Sequence, residues 1–107
     1  MFGNNKKEVL RITVTDSPAD QVWTLQGRLV WPWVYQLREN WRSARGMVQG
    51  RPCTVDLNGV TFVDKLGEQM LRIMAYQGAH FVASSAEMRR ILGRLGRNGL
   101  TDLSNPR

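Results

Sequence analysis

Two carboxylates flank an apolar run near the middle of the chain, and their type could support chemistry. Asp56 precedes most of this run and Asp64 follows it directly. A pair of carboxylates can act as general acid and base, or can hold a cation. The competing interpretation is structural: Asp64 caps the helix that begins after it, and Asp56 accepts hydrogen bonds from nearby backbone. We favour the structural interpretation.

The other reactive side chains stand alone in the sequence. The chain has a single cysteine, Cys53, and a single histidine, His80. Nucleophilic catalysis needs a base beside the nucleophile, and no Ser/His or Cys/His pattern supports one here. The glycines form neither of the common phosphate-binding motifs. We therefore expect a buried reduced thiol, a histidine at the start of a strand, no enzymatic activity, no metal site and no cofactor.

The net charge of +6, from 15 basic and 9 acidic residues, indicates an acidic partner. Such a partner could be nucleic acid, an anionic membrane surface or an acidic protein face. Most basic residues are scattered, and one group falls in the last predicted helix: Arg89, Arg90, Arg94 and Arg97. This group supports an alternative function, in which the protein binds anionic lipid or nucleic acid. Of these two ligands, we consider nucleic acid the less favoured.

Length and composition are typical of one soluble domain. At 107 residues, with a hydrophobic fraction of 42%, the chain can form a single core. No run approaches the roughly 20 apolar residues of a transmembrane helix, and the first residues lack the apolar stretch of a signal peptide. We expect a cytoplasmic protein with a flexible leader over 1–7, one domain over 8–103 and a loose tail over 104–107.

The first half of the chain predicts a hairpin and a helix. Apolar residues alternate over 9–15 and over 23–29, which indicates two half-buried strands. The Asp-Ser-Pro turn between them favours an antiparallel pair. Spacing of Trp33, Leu37 and Trp41 at every fourth residue then predicts an amphipathic helix that ends near Gly46, with its tryptophans in the core.

The second half predicts two further strand–helix units. A nearly continuous apolar run over 53–57 indicates a central strand covered on both faces. A helix over about 64–77, a strand over 80–83 and a helix capped by Ser84 or Ser85 follow. The order β-β-α-β-α-β-α predicts a single-domain α/β fold. Its mixed sheet has four or five strands flanked by helices, with an antiparallel opening pair and parallel strands joined by helical crossovers.

Three motifs in this order resemble those of the STAS domain family, which includes anti-sigma factor antagonists and cytoplasmic domains of sulphate transporters. Residues 25–29 match L-x-G-x-L, and residues 55–60 match V-D-L-S-x-V except that Asn58 replaces the serine. Residues 62–67 keep the frame of F-x-D-S-S-G. The resemblance covers about residues 8–103 and implies a STAS-like fold.

The family's loop is a phosphorylation switch, and this chain departs from it. In the family, a partner kinase phosphorylates the second hydroxyl residue of F-x-D-S-S-G. When the loop is unphosphorylated, it docks on that kinase together with the adjoining helix, and a sigma factor is released. Here Asp64 and Gly67 match, but Lys65 replaces the first serine and Leu66 stands at the acceptor position. Leucine has no hydroxyl, so phosphotransfer at that position is excluded.

The resemblance therefore implies a bacterial, non-catalytic module that binds a protein partner without the switch. The partner would be an anti-sigma factor, a serine-kinase-like protein or a transporter subunit. The resemblance implies no small-molecule substrate. It leaves open whether the protein forms a homodimer. An accessory role in a lipid or anion transporter is a further alternative. The residues expected to contact the partner are Trp31, Asp56, Asn58, Asp64, Lys65, Leu66 and Gly67.

Overall fold

The computed structural model describes residues 9–48 and 50–95, with the side chains of all of these except 45–48. Seven elements follow one another: β1 (Leu10–Asp16), β2 (Gln21–Leu29), α1 (Trp33–Val48), β3 (Cys53–Val63), α2 (Lys65–Tyr76), β4 (His80–Val82) and α3 (Ala86–Leu95). This confirms the predicted order and the α/β class. The predicted leader and tail lie outside the described residues.

The four strands form one mixed sheet in the order β1-β2-β3-β4. β1 pairs antiparallel with β2, whereas β3 pairs parallel with both β2 and β4. The turn between the first two strands is held by Ser17, whose hydroxyl donates to Asp20 Oδ1 at 2.9 Å and accepts from the Asp20 amide at 3.1 Å. The sheet therefore has the predicted opening pair and parallel crossovers, with four strands.

Leu37 and Trp41 of the stripe predicted for α1 lie in the core, and Trp33 is partly buried against it. Trp41 is buried and packs edge-on against Trp23 of β2, with 5.3 Å between ring centroids. Each indole N–H donates to a glutamine side-chain oxygen at 2.7 Å: Trp23 donates to Gln21, and Trp41 donates to Gln77. Buried indoles need such partners, so both tryptophans contribute apolar area with no unsatisfied donor.

The core occupies one face of the sheet, and the expectation that β3 is covered on both faces is wrong. Cys53, Val55 and Leu57 are buried, while Thr54 and Asp56 between them are only half-buried. The buried set continues through β2 and the inner faces of α1 and α2. Alternating burial is the pattern of a strand with one covered face.

β3 is six residues longer than the run over 53–57 that predicts it, because tertiary pairing overrides a local turn signal. Asn58-Gly59 is typical of a turn, yet both residues lie within the strand. Two register shifts accommodate them: Thr24 pairs with Asp56 but Gln26 with Gly59, and a second shift follows Gly27. α1 similarly continues past the predicted end at Gly46 to Val48.

The two later helices pack as their periodicity predicts. Met70, Leu71 and Met74 of α2 are buried, as are Met88 and Leu95 of α3. Gly78 adopts a positive φ of 105° just after α2, which stops that helix. Among the residues that the structure describes, no helix combines the length and the hydropathy that crossing a bilayer requires.

Candidate partner-binding surface

Asp64 joins the end of β2 to the start of α2. Its Oδ1 accepts from the Gly67 amide at 2.7 Å, which makes it the N-cap of α2. Its Oδ2 accepts from the Trp31 amide at 3.0 Å, and its own amide donates to the Leu29 carbonyl at 3.2 Å. Both carboxylate oxygens therefore have structural partners, as the capping interpretation predicts.

Gly67 is required by close packing. A Cβ at this position would overlap the Leu29 carbonyl oxygen and would lie 3.0 Å from side-chain carbons of Leu29 and Val63. The first turn of α2 consequently lies directly against the end of β2. The aspartate and the glycine of the motif frame are thus both fixed by the geometry of the fold.

The two residues between them face solvent together with Trp31. Lys65 is exposed and 43% of the Leu66 surface is accessible. Trp31, whose amide is held by Asp64, is 66% exposed. Large apolar side chains are rarely this accessible without a partner when they lie close together. The bond from the Trp31 amide to Asp64 brings Trp31 beside the Asp64–Gly67 loop, and contact of these residues with a partner stays a prediction.

The exposed apolar character continues along the outer side of α2. Ile73 lies two helical turns after Leu66, and Tyr76 follows one turn later on the same side. Their exposed fractions are 46% and 89%. We call Trp31, Lys65, Leu66, Ile73 and Tyr76 the docking surface. Sequence reasoning missed Ile73 and Tyr76, although both are apolar residues that fall outside the buried stripe of α2.

Asp56 and Asn58 are not part of this surface. Asp56 pairs with Thr24 and Val82 in the middle of the sheet, and its carboxylate accepts from the Asn58 amide at 2.9 Å. At about 3.3 Å per residue, the rest of β3 places Asp64 roughly 25 Å further along. The two carboxylates therefore do not form a catalytic or cation-binding pair.

Asn58 instead holds the loop that leads into α3. Its side-chain oxygen accepts from the Ser84 amide at 2.8 Å and from the Ser84 hydroxyl at 2.6 Å. The next residue, Ser85, caps α3 by accepting from the Met88 amide at 3.0 Å. Asn58 therefore positions the loop that precedes α3.

One arginine of the α3 group is bonded to α2. Arg94 binds Glu68 of α2 through two hydrogen bonds of 3.0 and 2.8 Å. This bond from Arg94 lowers the pKa of the Glu68 carboxyl, with Arg72 and Lys65 adding to the effect. Arg89 and Arg90 are exposed.

Arg97 lies outside the described residues, and the anion-binding face stays a prediction. The described residues also contain no group of three or more His, Cys, Asp or Glu side chains placed to hold a metal ion.

Comparison with known proteins gives a structural match only. No family model and no curated protein matches the sequence. An anti-sigma factor antagonist from Mycobacterium paratuberculosis matches the structure with a TM-score of 0.68 and 20% identity, covering 91% of this chain and 83% of the other. The unphosphorylated anti-sigma factor antagonist SpoIIAA matches with a TM-score of 0.58 and 21% identity, over 76% and 80% of the two chains. This chain has the STAS fold of the anti-sigma factor antagonists.

Proposed function

We propose that this protein is a non-catalytic regulatory module that binds a protein partner through the docking surface and does so without a phosphorylation switch. The observation that carries the proposal is the exposed apolar stripe that begins at Leu66 and continues through Ile73 and Tyr76. It starts at the loop that serves as the switch in the family this chain resembles. Aromatic and aliphatic anchors of this kind are typical of protein-binding surfaces.

The loop geometry supports contact rather than chemistry. Asp64 uses both carboxylate oxygens to cap α2 and to hold the Trp31 amide. Lys65 and Leu66 are left to face solvent on a backbone fixed at both ends. A surface held rigid before binding loses less conformational entropy when a partner docks. The loop is therefore suited to constitutive binding.

The absence of the switch can be tested with a serine kinase. Among residues 61–68 the only hydroxyl belongs to Thr61, and it donates to the Gly27 carbonyl at 3.2 Å. We expect that incubation with ATP and an anti-sigma kinase leaves residues 61–68 unmodified, as measured by mass spectrometry. Phosphate on Thr61 would show that the switch has moved to a neighbouring strand residue, contrary to the proposal.

The docking surface can be tested by affinity capture from cells that contain the protein. The chain offers a matched pair of variants, because Leu66 and Val82 have similar exposed fractions of 43% and 46%. We expect Leu66→Asp to lose the bound partner and Val82→Asp to keep it, since only the first places a charge in the apolar stripe. Recovery of the same proteins by both variants would contradict the proposal.

The identity of the captured protein separates the two partner classes. An anti-sigma factor or serine-kinase-like protein would make this chain a regulator of transcription. Subunits of a lipid or anion transporter would make it an accessory component. We favour the first class, because two solved structures with the same fold are anti-sigma factor antagonists.

A further inference from the structure

β1 forms one edge of the sheet and is seven residues long. It pairs with β2 over its whole length without a register shift, whereas β4, at the opposite edge, has only three residues. Natural sheets protect long edge strands with proline, lysine, bulges or a covering element. β1 contains no proline, no lysine and no bulge. Neither its sequence nor its pairing with β2 therefore blocks the addition of a further strand.

The backbone of alternate β1 residues points away from β2. The Ser17 amide donates to the Asp20 carbonyl at 2.9 Å, and this bond fixes the alternation of hydrogen-bonded pairs along the two strands. Counted in twos from Ser17, the odd-numbered residues of β1 bond to β2. The groups that point outward are therefore the N–H and C=O of Leu10, Ile12, Val14 and Asp16. Among the described residues, no strand pairs with these groups from the outer side.

Val14 lies on the helix-covered face of the sheet but is only partly covered there. Directly opposite residues of an antiparallel pair lie on the same face. Val14 lies opposite Trp23, and Ile12 lies opposite Leu25; both β2 residues are completely buried. Nevertheless, 42% of the Val14 surface is accessible. A strand added at the outer edge would cover this apolar side chain.

A second copy of β1 is complementary to the first. Around a two-fold axis that passes through the sheet at Thr13, two antiparallel β1 strands pair over all seven residues. Ile12 of each copy then lies opposite Val14 of the other, so outward backbone groups meet and apolar side chains meet on the covered face. Centring the axis on Val14 instead would pair only residues 12–16.

The charges of β1 are compatible with this pairing. In the register centred on Thr13, Arg11 lies opposite Thr15 of the other copy, about 13 Å along the strand from the second Arg11. Asp16 lies at the end of the ladder, and its carboxylate is bound by Arg51 of its own chain at 2.7 Å. Like charges directly opposite one another would destabilise a strand pair, and this register contains none.

We propose that two copies of this chain associate edge to edge through β1, so that their four-stranded sheets join into one continuous sheet. This inference does not rest on the proposed function. A contact between the same surfaces of two copies closes on itself as a dimer. Strand pairing alone buries less area than a standard interface of about 1,600 Å², so we expect a weak dimer with a dissociation constant of about 10–100 μM.

Sedimentation equilibrium of the full chain at up to about 0.5 mM tests the association. Val14 and Val82 are a matched pair on the two edge strands, with exposed fractions of 42% and 46%. We expect the wild type and Val82→Lys to dimerise. Val14→Lys should associate at least about tenfold more weakly, because its ammonium would be buried against Ile12 of the other copy. Circular dichroism of each variant confirms that it is folded.

Cysteine crosslinking tests the register, in a Cys53→Ala background. Residues directly opposite in a non-hydrogen-bonded pair have Cα atoms about 4.5 Å apart, which is within reach of a disulfide. Thr13→Cys should therefore form a disulfide-linked dimer under mild oxidation. Thr15→Cys would lie about 13 Å along the strand from its counterpart and should remain monomeric under the same conditions.

A wild type that stays monomeric at the highest concentration would overturn the proposal. Equal weakening by Val14→Lys and Val82→Lys would do the same, because the dimer contact would then lie elsewhere. Association beyond the dimer would indicate a contact between two different edges, and equal crosslinking at Thr13 and Thr15 would indicate random collision. Either result would also contradict the proposal.

Discussion

At the scale of single residues, the D-x-x-G frame is maintained by structural constraints that do not involve phosphorylation. Asp64 is needed because its two oxygens hold the amides of Gly67 and Trp31. Gly67 is needed because a side chain would overlap the Leu29 carbonyl. Lys65 and Leu66, which lie between Asp64 and Gly67, have no such structural role. The frame can therefore be kept in a chain whose residue 66 is a leucine without a hydroxyl.

Replacing Gly67 by alanine tests this constraint, with Gly93 as the matched control. Both are helical glycines, but a Cβ at Gly93 would meet nothing within 4 Å. We expect Gly67→Ala to lower the free energy of unfolding by about 1–3 kcal/mol through overpacking. Gly93→Ala should raise it by up to about 1 kcal/mol, because alanine favours helix. Urea unfolding of both variants measures the difference; equal effects would contradict the packing argument.

The Glu68–Arg94 contact predicts a dependence of stability on pH. The bond from Arg94 lowers the pKa of Glu68 from its ordinary value of 4.5 in the folded state. Its stabilising contribution is therefore complete above that value and is lost as the pH falls through the lowered pKa. We expect Glu68→Gln to destabilise the protein at neutral pH and to match the wild type in strong acid.

The exposed pair of Glu39 and Arg42, 3.4 Å apart, supplies the control for that titration. Glu39→Gln should change the free energy of unfolding by less than about 0.5 kcal/mol at neutral pH. If Glu68→Gln is no more destabilising than Glu39→Gln, the bridge between α2 and α3 does not contribute to stability.

At the scale of elements, alternation and helical spacing were sufficient to predict all seven elements and their order. The extent of β3 was not predictable, because Asn58-Gly59 has the local chemistry of a turn. Its place in a strand depends on pairing with β2 through two register shifts. Similarly, the stacking of Arg28 on Phe62 depends on strand register, which the sequence does not reveal.

The carboxylate of Asp64 joins the loop between β2 and α1 to the start of α2. This link gives a prediction at the scale of elements. Asp64→Ala removes the N-cap of α2 and the bond to the Trp31 amide. Each lost bond costs about 1 kcal/mol, so we expect a loss of about 2 kcal/mol in the free energy of unfolding. Ser85→Ala removes only the cap of α3 and should cost about half as much. Similar losses in the two variants would show that the Trp31 bond is without effect.

At the scale of the whole molecule, the sequence predicted the fold through ordered motifs, and it also pointed to part of the proposed docking surface. Trp31, Lys65 and Leu66 were identified because they lie at the loop. Ile73 and Tyr76 were not, because their exposure depends on how α2 packs against β3 and α1. Asp56 and Asn58 were expected to contact the partner because they lie in one of the resembling motifs, and the continuation of β3 separates them from the loop.

Site-specific photocrosslinking tests the central claim most directly, because it reports contact at chosen residues of the folded chain in cells. A benzoylphenylalanine at Leu66 or at Ile73, on the docking surface, should crosslink to the same protein in cells without kinase treatment. The same group at Val82, on the edge strand, should not. Crosslinks at Val82 alone, or at Leu66 only after a phosphorylation event, would contradict a constitutive docking surface.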